Sequence, residues 1–268
     1  MSRLAVIKAV FEAYFKAELI REHGAVLSIL SLSLWLTMFL TPLWLFAPKS
    51  VNASLFGSFA FVGILIFVSY TMASWDWGWQ LRWLLYQGIL EYVMVSGRDI
   101  LILYAGIIPV SLIWLSFVGL VAYAIITMLI GPPLLMVHDV LLLCIGIATL
   151  ILVLLSYALI LGGTTIAVGT SGPIVEFISW ILPIATGGLT PLQNLPELLR
   201  IFALCTPFSY PAELIRYALG LSSTVMDVQL ECFIGVLYAI LFFIASFTYF
   251  KLQLKKILRE GIKSVAMY

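Results

Sequence analysis

The sequence predicts an all-α polytopic membrane protein with six transmembrane helices, and three observations carry that expectation. Of its 268 residues, 63% are hydrophobic and only 10% are charged, whereas a soluble domain carries about a quarter charged residues. The apolar residues fall into long runs, and a bilayer core of about 30 Å is crossed by about 20 of them in a helix. Lysine and arginine gather at intervals between those runs instead of spreading evenly.

The N-terminal arm, residues 1–24, holds Arg3, Lys8, Glu12, Lys16, Glu18, Arg21 and Glu22, too many charges for the core of a cleavable signal peptide. Helical spacing puts Leu4, Ile7, Phe11, Tyr14 and Phe15 on one face and Lys8, Glu12 and Lys16 on another. That pattern predicts an amphipathic helix lying in the membrane interface. The spans are expected at 25–47, 55–72, 100–130, 140–168, 174–186 and 233–250. The third is long enough to be tilted or extended, with a kink near Pro109. The fifth is short and carries Glu176 and Pro183.

Two connections stand out. In residues 74–99, Trp75, Trp77, Trp79 and Trp83 are expected at headgroup level as an aromatic belt. After them, a short exposed helix mixing apolar and polar residues is predicted between Gly88 and Gly97, and exposed apolar residues call for a partner protein. The stretch Gly187-Gly188-Leu189-Thr190-Pro191-Leu192-Gln193-Asn194-Leu195-Pro196, followed by Thr206-Pro207-Phe208-Ser209-Tyr210 and Arg216, breaks an otherwise apolar region. It reads as a hairpin, about 187–217, dipping into one leaflet. Residues 251–268 form a basic tail.

Charge fixes the orientation. Eleven lysines and arginines fall in the arm, the loop after span two and the tail, against three (Lys49, Arg200 and Arg216) on the other side. Both termini are therefore expected in the cytoplasm of a plasma-membrane protein, and the hairpin on the outer side.

Several chemistries have no motif here. There is no G-x-x-x-x-G-K-S/T loop, no H-E-x-x-H and no C-x-x-C, and the three cysteines form no disulfide framework. The net charge of +1 gives no reason to expect a nucleic-acid partner. Gly169-Thr170-Ser171-Gly172 fits the G-x-S-G pattern of an intramembrane serine protease. Such a serine needs a histidine base on a later helix, and His23 and His138 both precede it. Glu176, Glu213 and Glu231 are read as lying near span ends within reach of water, which argues against an ion-driven transporter. No metal or cofactor site is expected in the chain.

Two motifs resemble the ABC-2 type permeases, the group of drug- and polysaccharide-exporting transmembrane subunits. The first is Gly88-Ile89-Leu90-Glu91 followed by Tyr92-Val93-Met94-Val95-Ser96-Gly97, similar to the family's G-T-L-E, apolar run and S/T-P. The second is the order Gly188, Pro191, Leu195-Pro196, Thr206-Pro207, Tyr210 and Arg216, similar to the family's Gly, Pro, Leu-Pro, Asn-Pro, aromatic and arginine. The resemblance implies a permease that binds no cofactor itself and works with a cytoplasmic ABC ATPase, which would hold ATP and magnesium, and with a second permease subunit. It implies a coupling helix at about 83–98, with Gly88, Leu90, Glu91, Val93 and Ser96 as coupling residues. There Glu91 would pair with a basic groove of the ATPase, and Leu90 and Val93 would fill an apolar one. It also implies a re-entrant gate built on Gly188, Pro191, Pro196, Pro207, Tyr210 and Arg216. The loop at 48–54 is short, so no large outer domain is inserted. The expected cargo is a hydrophobic or amphipathic drug or lipid, with a lipid-linked polysaccharide as the alternative.

Overall fold

A computed structural model of the chain describes residues 3–21, 24–46, 51–97, 100–168 and 172–260. Among the described residues eleven α-helices follow one another, with no strand. They are α1 (Arg3–Phe15), α2 (Gly24–Leu45), α3 (Ala53–Met72), α4 (Trp79–Tyr86), α5 (Ile89–Val95), α6 (Leu101–Leu129), α7 (Val140–Val168), α8 (Gly172–Ala185), α9 (Glu197–Leu204), α10 (Ser209–Ala218) and α11 (Val228–Glu260). The chain is an all-α membrane protein. Ala53–Gly78, Leu101–Leu129, Val140–Thr165 and Val228–Lys256 are each long and apolar enough to cross a bilayer, and α9 with α10 makes a fifth if that bent pair is one span. The described apolar part of α2, Ile29–Leu45, and the 14 residues of α8 are shorter.

The chain forms two compact units, residues 1–65 with 92–135, and residues 66–91 with 136–268. In the first, α1 and α2 pack on α6. Of the arm's expected apolar face, Ile7, Phe11, Tyr14 and Phe15 are half-buried, with Val10 beside them, but Leu4 is exposed, as are Lys8, Glu12 and Lys16. Much of that face therefore meets protein as well as its surroundings. The crossing is close because α6 offers a glycine: a Cβ on Gly106 would stand 2.5 Å from Val10 Cγ1. Helix α6 runs unbroken through Pro109, and its 29 residues reach about 44 Å at 1.5 Å each, more than a bilayer core. Asn52 caps α3, its side chain accepting from the Ser54 N–H at 3.0 Å. The start of α3 is tied to the segment after α6 by Ser54 Oγ and Ser58 Oγ, each donating at 2.8 Å to the carbonyls of Pro132 and Leu134.

In the second unit α7 and α11 lie along each other, and α10, α4 and the end of the α3 segment pack on α7. Residues 73–78, read from sequence as a headgroup-level loop, instead continue α3 as a π-turn, Ala73–Gly78, into α4. Trp77 is buried, not spread at an interface, whereas Trp75 and Trp83 are exposed. The reason is packing: Gly78 lets the turn approach α7, where a Cβ would stand 3.1 Å from Leu161 Cβ. Asp139 caps α7 through the Leu142 N–H at 2.9 Å. Helix α11 extends well past its apolar stretch, so residues 251–260 of the basic tail are helical.

Candidate functional site

The site forms where α8 ends. Pro183 sits inside α8, and the chain turns at once beyond Ala185. Gly187 adopts φ 78°, a left-handed conformation that glycine takes without penalty. The Gly188 N–H then folds back to the Pro183 carbonyl at 2.6 Å. No side chain fits at Gly188, since a Cβ would stand 2.7 Å from that same oxygen. Pro191 precedes the short 3₁₀ turn Leu192–Asn194, and Pro196 precedes α9.

Helices α9 and α10 are bent by 99° across the Thr206-Pro207 turn. The carbonyls freed at the end of α9 are covered by side chains from α10. Ser209 Oγ donates to the Ala203 carbonyl at 2.8 Å and Tyr210 Oη to the Leu204 carbonyl at 2.6 Å. The two helices differ in surroundings: Leu198, Ile201 and Phe202 of α9 are exposed, while nearly all of α10 is buried. Glycines make room for it. A Cβ on Gly146 of α7 would stand 2.9 Å from Ile215, and one on Gly235 of α11 would stand 2.8 Å from Tyr210.

At the centre lies a buried ion pair. Arg216 is 0% exposed and Glu213 is 1% exposed. Arg216 Nη1 donates to the Gly187 carbonyl at 2.6 Å, and Nη2 to the Gly188 carbonyl at 2.5 Å. Nη1 also reaches Glu213 Oε1 at 3.3 Å, and the same oxygen accepts from the Leu192 N–H at 3.1 Å. The chemistry follows from the break. A helix that stops in an apolar environment leaves carbonyls that would each lose a hydrogen bond to water. The last carbonyls of α8 are taken by backbone N–H groups of the turn, and the planar fork of one guanidinium covers two carbonyls of the turn itself, those of Gly187 and Gly188. Its charge then requires a counter-ion, and Glu213, one helical turn away, supplies it. Helix α10 is thus bonded to the turn that α8 leaves behind.

Around this pair is an aromatic cluster. The Phe208 ring meets those of Tyr70, Tyr157 and Phe242 with centroids 5.8, 5.7 and 5.5 Å away. Tyr70 Oη donates to the Phe208 carbonyl at 3.0 Å, and Ser74 Oγ bonds Tyr157 Oη at 3.2 Å. Glu231, in the first turn of α11, is also fully buried.

The structure brings Gly188 and Arg216 together, and it buries Pro191 and Tyr210 close by in the fold. Pro207 is half-buried at the bend and Pro196 is exposed at the start of α9. Sequence reasoning passed over Glu213, Gly187 and the Leu192 N–H as parts of the site. Glu231 lies at a helix end as expected, but it and Glu213 are buried and not in reach of water. The i, i+3 spacing of Glu213 and Arg216 was the available signal.

The second expected site is α5. Gly88 and Gly97 bracket it, each at φ 67°. Leu90, expected to fill a partner's groove, is instead 1% exposed and belongs to the core of the chain itself. The outward residues are Ile89, Tyr92 and Val95, the last two 77% and 86% exposed. Val93 is half-buried, and exposed Ser96 turns its hydroxyl back to the Val93 carbonyl at 2.6 Å. The side chains of Glu91 and Glu176 lie outside the described residues, as does Ser171 with residues 169–170. Among the described residues no group of three or more His, Cys, Asp or Glu could hold a metal ion.

Compared with known proteins, the chain matches no family model and no curated protein.

Proposed function

We propose that the chain is the permease subunit of an ABC exporter, moving a hydrophobic or amphipathic drug or lipid outward with ATP hydrolysed by a separate subunit. The observation that carries this reading is the bent pair α9–α10. A broken apolar helix in a membrane protein is tolerated where it faces protein or a water-lined path, and here its inner arm is bonded into the protein by Arg216. In this reading six spans cross the plasma membrane, with α2 and α8 as the first and fifth, both termini cytoplasmic and the hairpin at the outer exit. The exposed row Ile89, Tyr92 and Val95 supports α5 as the surface that docks on the ATPase. Closure of an ATPase pair then reaches the spans as a rigid-body movement. A second permease subunit completes the path. A lipid-linked polysaccharide is the alternative cargo for the same machine.

The chain should be coexpressed with the ATPase encoded beside it, purified and reconstituted. Copurification and ATP-dependent outward movement of a fluorescent amphipath are the expected result. No bound ATPase and no effect of ATP would remove the proposal.

One observation favours a second reading. A fully buried acid, Glu231, at the head of a long apolar helix is what a proton-coupled carrier needs. Transport that stops when a pH gradient is collapsed, and ignores ATP, selects it.

A further inference from the structure

Glu213 and Glu231 are two buried carboxyls with unequal partners. Each has one buried oxygen without a hydrogen-bond partner, but Glu213 Oε1 has a guanidinium nitrogen at 3.3 Å and the Leu192 N–H at 3.1 Å. Glu231 has neither a cation nor a short bond: Oε2 accepts from the Met226 N–H at 3.3 Å, and Oε1 is buried with no hydrogen-bond partner. Among the described residues Arg216 is the one fully buried cation, and it is taken up by Glu213 and two carbonyls.

The groups that surround Glu231 do not supply a positive charge. Among the described residues, α7 and α10 make the main packing on α11. Helix α7 has no charged residue. Helix α10 presents the Glu213 carboxylate, which repels an anion at Glu231. The preceding loop brings Asp227, whose carbonyl holds the Glu231 N–H at 2.9 Å and whose carboxylate caps Gln229. His138, in the segment before α7, lies against Gly220 with Nδ1 3.1 Å from the Met136 carbonyl. The helix N-terminus favours an anion in its first turn, and the Met226 and Val225 backbone N–H groups help, but the Met226 bond is long at 3.3 Å and neither brings a full charge. An uncompensated carboxylate out of water takes up a proton instead of staying charged.

We infer that Glu231 is a proton-binding site, holding one proton on its carboxyl at neutral pH while Glu213 stays ionised. The step is a simple association: a proton from bulk water joins a carboxylate oxygen, and no other group changes charge. The neutral acid leaves one weak donor unsatisfied where the anion would leave a full charge. The inference rests on burial and bonding at Glu231 and holds under either reading of function.

Infrared spectroscopy of the reconstituted protein tests it. At neutral pH the wild type should show the carbonyl stretch of a protonated carboxylic acid, shifted in heavy water. Glu231→Gln should abolish that band and Glu213→Gln should leave it in place. A wild-type spectrum with no such band overturns the proposal without recourse to any variant. So does a band that survives in Glu231→Gln.

Discussion

Gly235 of α11 faces Tyr210 of α10 across a gap that admits no side chain: a Cβ there would lie 2.8 Å from the Tyr210 Cβ. The obstructing atom is the stem of a buried ring, which cannot rotate away. Gly235→Ala should therefore destabilise the protein by about 1–3 kcal/mol, the range of overpacked cores. Gly119→Ala is its control, because a Cβ there meets only Leu65 Cδ2 at 3.4 Å. That variant should be neutral, or stabilised by up to about 1 kcal/mol through helix propensity. Unfolding in mixed micelles compares the two.

Arg216 should not be replaceable by lysine. A point charge cannot fork to the Gly187 and Gly188 carbonyls, so Arg216→Lys should lose about 1.5–3 kcal/mol through a charged hydrogen bond. Arg216→Met leaves Glu213 buried and unpaired, at about 3–5 kcal/mol. The double change Glu213→Gln with Arg216→Met should be milder than Arg216→Met alone, since no lone charge remains. Equal instability of the two would show that the charges do not depend on each other.

Tyr70→Phe removes the donor to the Phe208 carbonyl, a buried acceptor 3.0 Å away. The ring contact survives and the carbonyl keeps its place as the first acceptor of α10, so the loss should be about 0.5–1.5 kcal/mol, that of one hydrogen bond. The same unfolding assay reads it.

Leu90 and Tyr92 should separate stability from docking. Leu90→Ala opens a cavity and should lower stability by about 2–5 kcal/mol. Tyr92→Ala touches an exposed ring, so stability should stay within about 0.5 kcal/mol while retention of an ATPase in pull-down weakens. Retention unchanged by Tyr92→Ala together with Val95→Ala would reject α5 as the docking surface.

Four long apolar helices and the break between α9 and α10 were legible in the sequence because their signals are local. Apolar runs of bilayer length mark α3, α6, α7 and α11, and Pro191, Pro196 and Pro207 mark the breaks around α9. The chemistry of the break was not legible. A Glu213–Arg216 pair at i, i+3 reads the same on a wet surface as in a core, and its real partners lie 28 and 29 residues away at Gly188 and Gly187. Trp77 was misplaced for a similar reason. Tryptophans beyond an apolar run look like an interfacial belt, and nothing local says that the helix continues against α7. Leu90 lies in a motif of mixed polarity, where the buried and exposed apolar residues are distinguished only by the surrounding fold.

The π-turn at Ala73–Gly78 has a further effect. One residue more than the α spacing turns everything after it by about 100° around the helix axis. The side of α4 that meets α7 is thus decided by how many residues precede it as much as by which they are. Deleting any single residue between 73 and 78 would rewind the segment and present a different azimuth to α7, even with every remaining side chain unaltered.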